Sequence, residues 1–542
     1  MAIELSNLMF TDQDDIVPAF GKEQIVNTGA ANTLAGKDTS TGIGASLYNP
    51  GSEYGFFNSG TLNTAEGNDI ITGTAPLAGI INSGTLNTAE GNDIITADSS
   101  LGTGFNNTGT LNTGEGNDTI TAGGRGDAIS TSGTLNTAEG DDVIRGSGLY
   151  GGIFIRGIFD TGDGNDSISG DSGLFSDFGP STYGISNYSF TFNTGDGNDT
   201  IKGRGVYGIY NNALINTGNG KDIITAEGGN FNGGTGISNF STINTGNDDD
   251  IITTAYGGIE NYGNMDIGDG DDSIIAGPPN SPFMDALKNS NTIETGDGDD
   301  IITSTSNISN HRVINRGNAI SNDGTINTGN GQDSIISVGN FTNKGGVFLG
   351  ADNDSITVSI LTSPSAMLDE VVDLLKRGLE NFNTIETGDG DDIITSTGVI
   401  YNEGVINTGD GNDYIEGVDI AGTGYGIYNN GGAIITGNGN DSIIANEGFE
   451  SGPNSSGAWF LGEGDDYIKG FGNGDFYGGN GNDTLELTPG TYTVGIWGEA
   501  GESPIFTKGN QLMITSEFEK LKAGGTIYDF SSLTAGQIII VT

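Results

Sequence analysis

Apolar positions recur along this chain in three columns, with polar residues repeating just as regularly between them. The first column holds Phe56, Ile80, Phe105, Ile129, Ile153, Ile209, Ile237, Ile259, Ile320 and Ile400. The second holds Leu62, Leu86, Leu111, Leu135, Phe159, Phe192, Ile215, Ile243, Ile293, Ile326, Ile385 and Ile406. The third runs from Ile71, Ile95 and Ile120 to Ile468 and closes at Leu485. Self-similarity at a spacing of about 21 to 28 residues is the signature of a solenoid. Three columns imply three strand faces per coil. At about 3.3 Å per residue, three short strands and their turns use up one coil. The predicted fold is therefore all-β: a parallel, three-faced β-solenoid of about 18 coils, roughly 85 Å long at about 4.8 Å per coil.

Two segments break the period. Ser281-Pro-Phe-Met-Asp-Ala-Leu-Lys288 and the stretch from Ser363-Pro364 both open on Ser-Pro, a pair that starts helices. In the second, Met367, Leu368, Val371, Val372, Leu375 and Leu379 fall at helical spacing. Two short helical insertions are expected, near 281–289 and 363–380.

Between the second and third columns lies one recurring turn, written most fully at Asn193-Thr-Gly-Asp-Gly-Asn-Asp-Thr-Ile201. Glycines on either side of a polar residue let the chain turn tightly through positive φ. The closing acid hardly varies. It is Asp69, Asp93, Asp118, Asp142, Asp166, Asp199, Asp222, Asp250, Asp272, Asp300, Asp333, Asp354, Asp392, Asp413, Asp441, Asp466 and Asp483. The Ile two residues on starts a strand and is expected to point the other way, into the core. Asn also recurs beside the first column, at Asn58, Asn82, Asn107, Asn211, Asn239, Asn261, Asn322, Asn402 and Asn429. Two readings stand for it: stacked amide ladders, or simple turn propensity.

The turn resembles the glycine-rich nonapeptide of the secreted RTX, or hemolysin-type, calcium-binding proteins. The resemblance covers roughly residues 60 to 487. It implies a β-roll whose turns hold calcium ions between coils, with the repeated Asp residues as ligands. One departure is that most coils here carry one motif plus extra sequence, where the family has two nonapeptides in a short coil. Around Gly462–Asp475 and Gly478–Leu485 the spacing tightens to 17 residues, near the family's tandem form. There Asp475 is expected to supply a ligand on an opposite edge. Residues 488–542 resemble the uncleaved C-terminal export region of the family, with a plain C-terminal cap as the other reading. Residues 1–26 carry no motif, and Ile16, Val17, Phe20, Ile25 and Val26 are expected to cap the first coil. Thr33–Asp38 reads as a degenerate first turn, where Lys37 argues against a strong site. The repeats thus span 27–487.

Charge sharpens this picture. The 542 residues include 71 Asp+Glu against 18 Lys+Arg, for a formal charge of −53. That excess argues against nucleic acid as a partner and suits a protein that fills itself with cations. Stacked carboxylates about 4.8 Å apart would repel unless a cation lay between them. Calcium accepts six to eight oxygens in irregular geometry, which suits such turns. There is no Cys, and no stretch approaches the roughly 20 apolar residues of a membrane span. Met1 to Phe10 lacks a basic start and a long apolar run, so no secretory signal peptide is expected there.

Catalysis is not expected. The sole His, His311, stands beside Arg312, with no zinc or G-x-S-x-G motif. A calcium-dependent carbohydrate-active β-helix, lyase- or epimerase-like, is the alternative. An ice-binding Thr row after the third column (Thr72, Thr96, Thr121) is interrupted by Arg145 and Lys202. The expectation is a secreted, calcium-loaded solenoid with a structural, surface, matrix or adhesion role. Its partners would be calcium and either a cell-surface polysaccharide or further copies of itself.

Overall fold

The computed structural model describes residues 2–542 apart from 18–22, 45–52, 174–181, 189, 230–233, 280–283, 306–317, 361–376, 421, 453–456 and 499–502. It divides into two units, Met1–Ser281 and Pro282–Thr542. Both are parallel β-solenoids with three faces, as the three apolar columns predict.

In the first unit one coil runs through Thr85–Asn87, Ile94–Ser99 and Thr103–Asn107. Each strand pairs in parallel with its equivalents one coil before and one coil after. Leu86 lies between Leu62 and Leu111, Ile95 between Ile71 and Ile120, and Phe105 between Ile80 and Ile129. Equivalent positions therefore stack on equivalent positions, and the three columns meet in a buried interior. Phe56, Ile80, Leu86, Phe105 and Leu111 are fully buried. Burying each such side chain contributes about 1.5–3 kcal/mol, and the same gain repeats coil after coil.

The structure adds further members to the first column. Ile25, Ile185, Leu287, Phe341, Leu379, Ile427 and Phe449 join the first. Among the described residues the first face has eleven strands in the first unit and seven in the second, matching the expected coil count. The helical insertions need correction. Leu287 lies in the strand Leu287–Asn289, and Leu379 in the strand Arg377–Asn381. Both residues are fully buried column members. The strand wins because the stacked neighbours Ile320 and Phe341 offer a matched apolar surface, whereas a lone helix would lie on the outside. The rest of the second segment, 361–376, lies outside the described residues.

Tight stacking dictates the turn glycines. A Cβ on Gly91 would lie 1.7 Å from the carbonyl oxygen of Gly67, and Gly91 itself has φ +145°. Any larger residue would push two coils apart.

At the start of the first unit, Ala2–Glu4 pairs in parallel with Gln24–Val26. In the second unit, Gln511–Ser516 and Lys520–Ala523 lie parallel against Gly474–Tyr477 and Thr484–Leu487. Beyond them the pairing becomes antiparallel: Gly490–Trp497 takes Ser503–Lys508 on one side and Ile538–Val541 on the other.

Candidate metal centre

The turn before the third face positions one carboxylate per coil. In Thr64-Ala-Glu-Gly-Asn-Asp69, Ala65 is left-handed at φ 61° and Gly67 sits at φ 153°. Later coils place glycine at the left-handed position, as Gly114 at φ 89°. The reversal brings Asp69 into line with the strand Ile70–Ala75. Residues two apart on a strand share a face. Asp69 therefore points inward beside Ile71, each 1% exposed, and not opposite to it as expected. The acids before it, such as Glu66, Glu90 and Glu115, are exposed and take no part in the column.

The inward carboxylates form a ladder. The backbone N–H of Asp69 donates to Oδ1 of Asp93 at 2.7 Å, and that of Asp93 to Oδ1 of Asp118 at 2.7 Å. The same step joins Asp118 to Asp142, Asp142 to Asp166, Asp166 to Asp199, Asp199 to Asp222, Asp222 to Asp250 and Asp250 to Asp272. In the second unit it joins Asp300, Asp333, Asp354, Asp392, Asp413, Asp441, Asp466 and Asp483 in turn, at 2.8–2.9 Å. All of these predicted residues are buried. Asp475 stands apart: it is half-buried on the strand Gly474–Gly481, flanked by Ala458 and Ile514.

In most of these carboxylates the ladder uses only one oxygen. Oδ2 of Asp69, Asp93, Asp118, Asp142, Asp166, Asp199, Asp222 and Asp250 is buried and has no hydrogen-bond partner. The same holds for Asp333, Asp354, Asp413, Asp441, Asp466 and Asp483. A buried anionic oxygen without a partner is costly, and the cost shows in the titration. Burial pushes Asp69, Asp118 and Asp166 up to about 6, and Asp93, Asp222 and Asp250 to about 7. Asp142, Asp199 and Asp354 rise to about 8. Hydrogen bonds from the preceding backbone N–H oppose the rise, and neighbouring column acids add to it for Asp142, Asp199 and Asp354.

Three participants go beyond the sequence reading. Asp38 is a ladder member: it is buried, and its N–H donates to Oδ1 of Asp69 at 2.7 Å. The sequence marks it only as part of a degenerate first turn, discounted for Lys37. Glu519 ends the ladder, accepting the N–H of Asp483 at 2.8 Å; nothing in its sequence neighbourhood resembles the repeat. A buried Thr five residues before the Asp also recurs, as Thr64, Thr88, Thr113, Thr137, Thr161 and Thr194. It was visible as part of the motif, but its chemistry was not. Its hydroxyl stands beside the Asp carboxylate and opposes the rise in Asp93 and Asp118. At Thr387 the hydroxyl donates directly to Oδ2 of Asp392.

The donor chemistry fits an oxygen-preferring divalent cation. Most steps offer an unused carboxylate oxygen, usually with a hydroxyl beside it, and no nitrogen or sulfur ligand. Among the described residues no three His, Cys, Asp or Glu side chains come together to hold a metal. Carboxylates alone therefore could not fill the shell. The column Asp residues would hold the ion, with hydroxyl, turn carbonyl and water oxygens completing it. His311 and Arg312 lie outside the described residues.

No protein-family model matches this chain, and no curated protein matches it. Among solved structures it is similar to a hyperactive, Ca2+-dependent, beta-helical antifreeze protein from an Antarctic bacterium. That match has 16% identity and a TM-score of 0.37, and covers 83% of this chain and 95% of that chain. So loose a likeness carries no argument about what this chain does.

Proposed function

We propose that this chain is a secreted calcium-loaded solenoid with a structural, cell-surface, matrix or adhesion role and no chemistry of its own. One observation supports the reading above all: a buried carboxylate oxygen without a partner recurs at nearly every described step of the column. Such an oxygen can be satisfied by a proton or by a cation. Near neutral pH, with groups raised to about 6–8, protons satisfy the column only in part. Divalent ions serve the remainder and offset the formal charge of −53. Site and fold form together, so calcium binding is folding free energy. Extracellular calcium modules bind at about 10⁻⁴–10⁻³ M, and sites of that affinity load outside the cell.

The test is circular dichroism of the full chain at pH 7.5 with millimolar calcium and with a chelator, beside a count of bound calcium by elemental analysis. Calcium should restore a β signal that the chelator removes, with many ions bound per chain. An unchanged β signal in chelator, with no calcium bound, overturns the reading.

A further inference from the structure

The Thr five residues before each column Asp forms a second buried column with a role of its own. Thr88, Thr113, Thr137 and Thr161 are all fully buried. Each hydroxyl donates to the carbonyl oxygen of the equivalent Thr one coil on, at 3.2, 3.5, 3.1 and 3.3 Å. A hydroxyl has one proton and two acceptor lone pairs. That proton can go either to the carbonyl or to the Asp carboxylate beside it, as Thr387 gives its own to Oδ2 of Asp392; with the proton on the carbonyl, the hydroxyl oxygen turns its lone pairs toward the carboxylate. A cation entering between the two oxygens would leave the hydroxyl proton on the carbonyl and take a lone pair from the hydroxyl together with the charge of Asp Oδ2. Four coils lack the hydroxyl altogether. Ile267 stands at this position before Asp272, Leu349 before Asp354, Leu461 before Asp466 and Gly478 before Asp483.

We propose that this Thr is a second side-chain ligand of each cation, so the chain carries two classes of site: hydroxyl-bearing coils that bind tightly, and hydroxyl-free coils that bind weakly. The inference rests on the calcium reading above. Neutral hydroxyl oxygen is a fitting partner for a hard cation already held by a carboxylate. Where the hydroxyl is missing, a water must take its place in the shell.

The experiment uses the full chain and two variants. In one, Thr88, Thr113, Thr137 and Thr161 are replaced by Val, which keeps the shape and removes the hydroxyl. In the other, Leu349→Thr supplies a hydroxyl to a bare coil. Calcium affinity is measured by equilibrium dialysis. Waters on the bound ion are counted from terbium luminescence lifetimes in light and heavy water. The Val variant should bind its four ions about tenfold more weakly, with about one more water on each of them. The Leu349→Thr variant should gain one tight site and lose one water. A Thr that serves only as a strut would lower the stability of the Val variant and leave the water count unchanged, which overturns the proposal. Should the Val variant fail to fold, an unchanged affinity profile and water count in Leu349→Thr overturn it alone. If the unaltered chain binds no calcium, the calcium reading itself has failed.

Discussion

Two of the buried polar columns in each unit, the Asn and the Asp columns, solve the same problem differently. In the Asn column, Asn58 Nδ2 donates to Asn82 Oδ1 at 2.8 Å, and Asn82 Nδ2 to Asn107 Oδ1 at 2.9 Å. The second amide hydrogen goes to a backbone carbonyl, from Asn58 to Thr85 and from Asn82 to Thr110. The second unit repeats this from Asn289 through Asn322, Asn343, Asn381 and Asn402 to Asn429. An amide carries both donor and acceptor, so stacked amides satisfy one another, and the ladder breaks where Ile155 takes the position before Asn187 and leaves its Oδ1 without a partner. In the Asp column the backbone N–H supplies the repeating donor, and at most steps one oxygen is left over. Two side chains differing by a single atom thus give one self-sufficient ladder and one that calls for an outside positive charge.

The sharpest way to break this contrast is pH in the absence of metal. The column Asp carboxyls are raised in the fold to about 6–8 from an ordinary value near 4. The folded state therefore holds protons more tightly than the unfolded chain. Stability from these groups is fully present below about pH 4 and drains away as pH rises through about 6–8. In chelator, the β signal should persist at pH 5 and collapse by pH 8.5. With calcium the dependence should reverse, because protons compete for the same oxygens. Parallel pH curves with and without chelator would show that the column holds no cation.

Next in size is Asn211→Asp, which places an anion in the self-sufficient column, where Asn211 now donates to Asn239 at 2.9 Å. One carboxylate oxygen keeps the bonds from Asn187 and the Ala213 N–H, but the other is pressed against the Asn239 and Thr242 acceptors, and urea unfolding in calcium should show a loss of about 3–5 kcal/mol. The reverse exchange is milder. Asp118→Asn keeps an oxygen for the N–H of Asp93 and brings its own donor to the vacant side. In chelator it should raise stability by about 1 kcal/mol, while elemental analysis finds fewer ions. The smallest effect belongs to a second amide ladder, only half-buried, in which Asn112 donates to Asn87 at 2.8 Å and accepts from Asn136 at 2.8 Å. Water can replace these bonds, so Asn112→Ala should cost no more than about 1 kcal/mol by urea midpoint.

Much of this was legible because the chain repeats itself. Leu86 and Leu111 could be aligned without coordinates, and the structure sets them side by side. The Asn ladder was one of two open readings, and the amide bonds between stacked residues decide for it. Legibility failed where a residue departs from its column by type. Leu379 read as part of a helix because its local spacing is helical, yet it stacks on Phe341 and Ile400. Glu519 could not be found at all, since it reaches Asp483 from 36 residues away and outside the repeat.

By itself the sequence determined the period, the three apolar columns and the recurrence of one acid per coil, because these are properties of spacing and residue type. Only the tertiary structure decided which way that acid faces and which of its oxygens is spent. A strand seats alternate residues on one side, so Asp69 follows Ile71 inward. There the next coil back supplies one N–H and no second donor. That geometry, invisible in a list of residues, turns a repeated letter into a line of buried oxygens in want of positive charge.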